Sequence, residues 1–264
     1  MNISRRNWQT CCWWIIILGV ALSLKQYYSI ATARDLQWLL RPLAWLTQSL
    51  LGLPFINNGS GEWLNTENNI AIIKSCAGLN FLILSLFVYA KRYQILVASS
   101  RGTGGLLLLV GRYIAICLLA AWCATLVVNA IRIVVAIAFY QYDLTIVGLT
   151  PEQMHRIAGV LIYFPALWLQ FHLFARMKHV PAGVTAALFY LGLLIFVPLV
   201  TGYFQEQPRL FIEHIFVTGG LTIALLVVHS GILRIWNKYC TRVEKWADNN
   251  RRKRLLISRI RKRL

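Results

Sequence analysis

The chain contains a series of apolar stretches, each about 20 residues long, separated by short polar segments. A helix of about 20 residues crosses the roughly 30 Å hydrocarbon core of a bilayer, so each stretch is long enough to span a membrane. We therefore predict an all-α polytopic transmembrane helix bundle with about six spans, and with eight at most. The six stretches lie near residues 12–30, 70–90, 105–128, 156–176, 183–203 and 214–236.

The composition supports a membrane protein and argues against a soluble basic protein. Charged residues make up only 14% of the chain, and 58% of the residues are hydrophobic. Soluble domains average about 25% charged residues. The net charge of +18 comes from Lys and Arg at the ends of the apolar stretches and in the C-terminal tail. We therefore expect no nucleic-acid partner, because membrane topology explains this distribution more simply.

The positions of the basic residues predict the orientation. With six crossings, the clusters at the N-terminus, after the second and fourth spans and at the C-terminus all lie on one side, which the positive-inside rule identifies as cytoplasmic. Residues 1–237 would form the membrane domain, with both termini in the cytoplasm. Residues 238–264 would form a basic cytoplasmic tail attracted to anionic lipids. The first span also has features of a signal peptide, but Lys25 and the tyrosines after it favour an uncleaved anchor.

Residues 35–53 are apolar but are not counted as a span. Arg41 and Pro42 interrupt the stretch, and a further crossing here would reverse the side of every later loop. We expect an interfacial or re-entrant helix on the outer side, with Trp38 and Trp45 at the level of the lipid headgroups.

The segment before Cys76 predicts a short outer-face hairpin. Residues 62–65 and 70–73 flank a polar turn at 66–69, and the second arm is rich in β-branched residues. The second span is then expected to begin near Ser75, which is a suitable N-cap residue, with Cys76 in the first helical turn.

Three reactive or ionisable residues are predicted to lie at one membrane depth on the outer side. Such groups are costly within a bilayer and are therefore candidates for function. Cys76 would lie at the outer end of the second span, Arg132 just beyond the outer end of the third, and His155 in the first turns of the fourth. A thiol nucleophile, an imidazole base and a guanidinium that stabilises an oxyanion are sufficient for acyl transfer.

Neighbouring residues favour these placements. Residues 150–153 form a capping box with proline at the first helical position, so the fourth helix should begin there. Gly159 lies one turn after His155 and would admit a neighbouring helix. Asn129 and Arg132 are three residues apart and share a helix face, so the amide can orient the guanidinium.

Simpler interpretations remain open at this point. Cys76 can be an ordinary small apolar residue, with Cys123 as its nearest rival for the nucleophile. Arg132 can be an interface anchor whose side chain reaches the headgroups. His155 can be an interface histidine, in which case His214 is the alternative base. The cysteines and histidines lack the spacing of a metal site, and no phosphate-binding glycine loop is present, so we expect no metal and no organic cofactor.

The motifs around these residues resemble those of a known family. They read Ser75-Cys76-Ala77-Gly78-Leu79-Asn80-Phe81, then Asn129-x-x-Arg132, then His155-x-x-x-Gly159. In this order, and at helix ends predicted to face outward, they resemble the exosortase/archaeosortase family. The upstream Gly52-Leu53-Pro54-Phe55 and Gly59-x-Gly61-x-Trp63 are similar to the exosortase K type. The resemblance covers about residues 35–160.

This resemblance implies a membrane-embedded cysteine transpeptidase or protease in the bacterial inner membrane, with its active site facing outward. Its substrates would be exported proteins that end in a short motif, a hydrophobic helix and a basic cluster. Cys76 would be the nucleophile, Arg132 the transition-state stabiliser and His155 the acid/base, with Ser75, Gly78, Asn129 and Gly159 in supporting positions. The alternative is a non-enzymatic transporter or assembly subunit in which Arg132 and His155 line a polar pathway, although no clear internal repeat of the kind found in transporters is present.

Overall fold

The structure is a computed structural model that describes residues 3–67, 70–99, 106–141, 151–175, 184–192, 212, 215–228 and 230–231. These residues are mostly helical, and the predicted all-α class is confirmed. Among the described residues, five helices have 15 residues or more: α1 (Ile3–Ile30), α2 (Gln37–Leu51), α3 (Leu79–Ser99), α4 (Leu106–Gln141) and α5 (Pro151–Gln170). Shorter helical segments lie at 184–192 and 215–228. A π-helical turn, Phe171–Ala175, continues α5. Two compact units are distinguished, Met1–Leu221 and Thr222–Leu264, and all five helices belong to the first.

Within the described residues, three helices are long and apolar enough to cross a membrane, which indicates a membrane protein. They are Asn7–Ile30 in α1, Leu108–Ala138 in α4 and Ile157–Phe174 at α5. These correspond to the first, third and fourth predicted spans. The predicted span near 70–90 overlaps α3, which begins only at Leu79 and is not one of these three helices. The predicted spans near 183–203 and 214–236 and the basic tail lie wholly or partly outside the described residues, so the count of six stays a prediction.

Helix α4 is longer than predicted. It runs for 36 residues and passes through Asn129 and Arg132 without a break, whereas the sequence placed both residues beyond a helix ending near residue 128. The expectation was wrong because polar residues were taken as a sign that the helix had ended. At a rise of 1.5 Å per residue, α4 is about 54 Å long and exceeds the thickness of the hydrocarbon core.

Helix α2 occupies most of the segment predicted to be interfacial or re-entrant. Its 15 residues give a length of about 22 Å, which is too short to cross a bilayer. One face is buried in the protein, and Trp38 and Trp45 are exposed on the other. The helix ends at Gly52, whose φ of 69° is left-handed and whose N–H donates to the Gln48 carbonyl at 2.8 Å. The buried face consists of Leu39, Leu40, Leu43, Ala44 and Thr47.

A proline within α2 determines how α2 contacts α4. Pro42 has no N–H, so it cannot donate to the carbonyl of Trp38 four residues earlier. The indole Nε1 of Trp122 on α4 donates to that carbonyl at 3.2 Å. The acceptor that the proline leaves without a helical partner is therefore used to join the two helices.

The segment between α2 and α3 forms a three-stranded antiparallel sheet in the order β1-β2-β3. The strands are β1 (Ile56–Asn57), β2 (Trp63–Asn65) and β3 (Ile70–Ile72), with Trp63 opposite Ile72. The predicted hairpin is confirmed as β2 and β3, whereas β1 was not predicted.

The start of α2 fixes this sheet through Gln37. The Gln37 amide donates to the carbonyls of Ala33 at 2.9 Å and Gly61 at 2.6 Å, and it accepts from the Trp63 indole at 3.1 Å. Gly61 has a φ of 98°, and a Cβ there would lie 2.5 Å from the backbone nitrogen of Arg34. The loop before β2 therefore lies directly against the backbone that precedes α2.

Helices α2, α3 and α4 contribute most of the buried residues of the apolar core, and α1 adds Trp13 and Ile17. Trp13 of α1 is 1% exposed, and its indole donates to the Ala90 carbonyl of α3 at 3.1 Å. Ile72 of β3 and Ala77 also belong to this cluster. The strand that leads to Cys76 is therefore packed against the helices that surround it.

Candidate active site

Cys76 lies in a short turn that precedes α3. Residues Lys74–Ala77 form a 3-10 turn in which the Cys76 N–H donates to the Ile73 carbonyl at 2.8 Å. Gly78 then adopts a left-handed conformation and α3 begins at Leu79. The expectation that Ser75 caps a helix containing Cys76 was wrong, because the left-handed residue separates the turn from the helix. Cys76 is half-buried and Ser75 is exposed.

Lys74 connects this turn to the C-terminal end of α1. Its Nζ donates to the carbonyls of Ala31 at 2.5 Å and Ser29 at 3.4 Å, and it lies 5.0 Å from the centre of the Tyr28 ring. The Tyr28 hydroxyl donates to the Lys74 carbonyl at 3.0 Å. The last carbonyls of a helix have no helical donor, and an ammonium group is a favourable partner for them. The residues before Cys76 are therefore fixed by α1.

Asn129 fixes the same turn from the side of α4. Its side chain is fully buried, and its Nδ2 donates to the main-chain carbonyl of Cys76. Its Oδ1 accepts from the Tyr163 hydroxyl at 2.7 Å and from Nη1 of Arg132 at 3.5 Å. A single amide thus connects the turn with α4 and α5.

Arg132 lies between α4 and α5, against Tyr163. Its Nη1 donates to the Tyr163 hydroxyl oxygen at 3.0 Å, and its Cζ lies 5.3 Å from the centre of the tyrosine ring. Gly159 of α5 is buried beside the guanidinium, since a Cβ at this position would lie 3.6 Å from Nε of Arg132. The glycine that was expected to admit a neighbouring helix thus lies against an arginine side chain of that helix.

Gly78 is required at its position for two reasons. Its φ of 71° is unfavourable for any residue with a side chain. A Cβ there would also lie 2.9 Å from Nδ2 of Asn129 and 3.3 Å from Cγ2 of Thr125. The absence of a side chain at Gly78 lets the Asn129 amide approach the backbone of the Cys76 turn.

The structure brings five of the seven predicted site residues into one assembly, namely Cys76, Gly78, Asn129, Arg132 and Gly159. Ser75 is in the same turn but is exposed. His155 lies on α5, one turn before Gly159, and its side chain is outside the described residues. The alternative base His214 is also outside them. Cys123, the alternative nucleophile, is exposed on α4.

Tyr163 was not identified from the sequence. It follows His155 and Gly159 at intervals of four residues, so the three positions share one face of α5. A hydroxyl group on that face, within an otherwise apolar segment, was the available signal. Its ring stacks on Phe81 of α3, with 5.0 Å between the ring centres and 20° between the planes.

The assembly links the Arg132 guanidinium, through Asn129, to the backbone of a half-buried cysteine. In an apolar environment, donors that are already oriented stabilise a developing negative charge more strongly than water-exposed donors do. Within the part of the chain that the structure describes, no three His, Cys, Asp or Glu side chains gather in a way that could bind a metal ion.

Comparison with known proteins gives no assignment. No family model matches the chain, and no curated protein or solved structure matches it either.

Proposed function

We propose that this chain is a membrane-embedded cysteine transpeptidase or protease of the exosortase/archaeosortase type, which cleaves C-terminal sorting signals of exported proteins. The observation that carries the proposal is the Asn129 side chain, which bonds the Cys76 carbonyl on one side and Arg132 and Tyr163 on the other. Residues far apart in sequence are thereby joined at the backbone of Cys76.

The proposed reaction proceeds through a thioester. The Cys76 sulfur attacks the carbonyl carbon of the scissile peptide bond, and His155 accepts the thiol proton. The carbonyl oxygen becomes an oxyanion that Arg132 stabilises. The C–N bond then breaks, the leaving amine takes the proton back from His155, and the acyl group remains on Cys76. Water or an acceptor amine attacks the thioester, releases the product and restores the thiol.

Arg132 suits this role because its guanidinium is already oriented. Tyr163 and Asn129 both accept from the same nitrogen, Nη1. The guanidinium has five N–H donors in a fixed planar geometry, which suits it to bind an oxyanion. A lysine would keep the charge but could not reproduce this fork of donors.

The membrane setting fits a substrate that is itself anchored by a hydrophobic helix. The apolar helices described above would accommodate such a segment beside the site. In the proposed orientation the site faces outward from the bacterial inner membrane, where exported proteins emerge, and the basic tail contacts anionic lipids in the cytoplasmic leaflet.

The test is a cysteine replacement in cells that co-express an exported protein ending in a motif, an apolar helix and a basic cluster. Cys76→Ala should abolish processing while the protein remains inserted, because the thioester cannot form. The matched control is Cys123→Ala, which removes an exposed thiol from α4 and should leave processing unchanged. A covalent adduct detected by mass, and released by hydroxylamine, should map to Cys76.

Two results would overturn the proposal. Full processing by the Cys76→Ala protein would exclude this thiol as the nucleophile. An adduct on Cys123 would place the nucleophile on α4 instead of in the turn before α3. Full processing together with no adduct on any cysteine would favour the alternative, a non-enzymatic subunit in which Arg132 and His155 line a polar pathway.

A further inference from the structure

The Tyr163 hydroxyl occupies a central place in the assembly, since it contacts both Asn129 and Arg132. We propose that Tyr163 is a positioning residue that sets the orientation of both side chains for the oxyanion-forming step at Cys76. The inference rests on the proposed function and extends it to a residue that the family resemblance does not include.

The direction of the hydrogen bonds explains how one hydroxyl can orient two groups. Arg132 has only donors, so its Nη1 donates to the Tyr163 oxygen at 3.0 Å. The single hydroxyl proton of Tyr163 then donates to Oδ1 of Asn129 at 2.7 Å. With Oδ1 facing Tyr163, the other end of the amide, Nδ2, faces the Cys76 carbonyl and donates to it.

This chain of bonds links the guanidinium to the turn that carries the nucleophile. If the hydroxyl is removed, Oδ1 of Asn129 loses the donor on α5 that orients the amide, and Nη1 of Arg132 loses the Tyr163 oxygen, its acceptor at 3.0 Å. Asn129 is fully buried, so water cannot readily replace the lost partner. Arg132 would therefore be less well oriented toward an oxyanion formed at Cys76.

The tyrosine ring is supported separately from the hydroxyl. It stacks on Phe81 and lies under the Arg132 guanidinium, and neither contact involves the oxygen. Tyr163→Phe should therefore keep the packing of α3, α4 and α5 and remove only the two hydrogen bonds. This makes the substitution a test of orientation rather than of folding.

The experiment compares two small electrophiles on the purified full-length protein in detergent. p-Nitrophenyl acetate reacts through a tetrahedral oxyanion: the Cys76 sulfur bonds to the acetyl carbon, the C–O bond breaks, p-nitrophenolate leaves with the electron pair, and the thiol proton passes to the buffer. Iodoacetamide alkylates the same sulfur by displacing iodide and forms no oxyanion. Mass spectrometry of the Cys76 peptide gives both rates.

Tyr163→Phe should slow acetylation of Cys76 by about 10-fold to 100-fold, the range for a lost hydrogen bond to a charged group. Alkylation by iodoacetamide should stay within about threefold of the unmodified protein, because no oxyanion forms. In an Arg132→Ala background, Tyr163→Phe should slow acetylation by less than about twofold further, since the hydroxyl acts through the arginine.

Tyr113→Phe is the matched control. Tyr113 is on the same helix as Arg132 but 19 residues earlier, about 28 Å away along the axis, and it stacks on Tyr93. Neither rate should change in this variant.

The outcomes separate this inference from the proposed function. If Cys76 of the unmodified protein is acetylated no faster than the exposed Cys123, both proposals are overturned. If Cys76 is acetylated faster and Tyr163→Phe has no effect, only the positioning role is overturned. An equal loss in both reactions of the Tyr163→Phe protein would also overturn it, since that result indicates general disruption of the site.

Discussion

A side chain at position 78 would be opposed both by the left-handed backbone conformation and by steric overlap with Asn129. Comparison with a second glycine allows the two energetic costs to be measured separately. Gly52 has nearly the same φ, 69° against 71°, but a Cβ at Gly52 would meet nothing within 4 Å. A side chain in the left-handed region costs about 1–2 kcal/mol on its own. We therefore expect Gly52→Ala to lower the free energy of unfolding by about 1 kcal/mol and Gly78→Ala by at least about 2 kcal/mol.

The difference can be measured by unfolding both variants with increasing SDS in mixed micelles, followed by tryptophan fluorescence. Equal destabilisation by the two substitutions would show that the contact between position 78 and Asn129 contributes nothing.

For single residues, the sequence predicted which side chains belong to the candidate site better than it predicted which atoms those side chains bind. The spacing of Asn129 and Arg132 correctly indicated that the two side chains could meet on one helix face. The acceptor of the Asn129 amide is a main-chain carbonyl 53 residues away, and every residue has such a carbonyl, so no residue pattern could have identified it. Tyr163 was missed because a tyrosine near a membrane interface usually needs no specific partner.

The hydrogen bond from Trp122 to the Trp38 carbonyl is a feature of whole helices, because it joins α4 to α2 at the acceptor to which Pro42 cannot donate. Trp122→Phe leaves the Trp38 carbonyl without its donor and should lower the free energy of unfolding by about 1–2 kcal/mol. In a Pro42→Ala background the alanine N–H can donate to that carbonyl, as in an uninterrupted helix. The loss caused by Trp122→Phe should then be clearly smaller.

A double-mutant cycle in the same SDS titration measures this coupling, which should be about 1 kcal/mol. The matched control is Trp45→Phe, on the exposed face of α2, which should show no coupling to Pro42→Ala. A Trp122→Phe effect of the same size in both backgrounds would mean that the indole contributes packing alone.

Helices were predicted more reliably than their ends. The apolar stretches located α1, α4 and α5, because long apolar runs report helices directly. The start of α3 was placed too early because the left-handed Gly78 is stabilised by the contact with α4, which local sequence does not reveal. The end of α4 was placed too early because Asn129 and Arg132 have partners on other elements and do not need to leave the helix.

The proposed topology concerns the whole molecule and rests on the charges of the loops. Helix α3 separates Glu67, exposed after β2, from Ser99 at its far end. In a variant lacking the six native cysteines, Glu67→Cys should react with a membrane-impermeant maleimide in intact spheroplasts, whereas Ser99→Cys should react only after permeabilisation. Labelling of both positions from the same side would show that α3 does not cross and that the proposed orientation is wrong.

The Asn129 amide donates to the main-chain carbonyl oxygen of residue 76, so this hydrogen bond does not depend on which side chain is at position 76. A single-nucleotide change that removes the thiol would therefore leave the surrounding architecture intact. Under the proposed function, a descendant without the thiol would still bind the same substrate but could not cleave it, so that one codon would separate a catalyst from a binding protein. On the same proposal, replacements at position 76 are suitable for isolating the enzyme–substrate complex that the intact protein would convert.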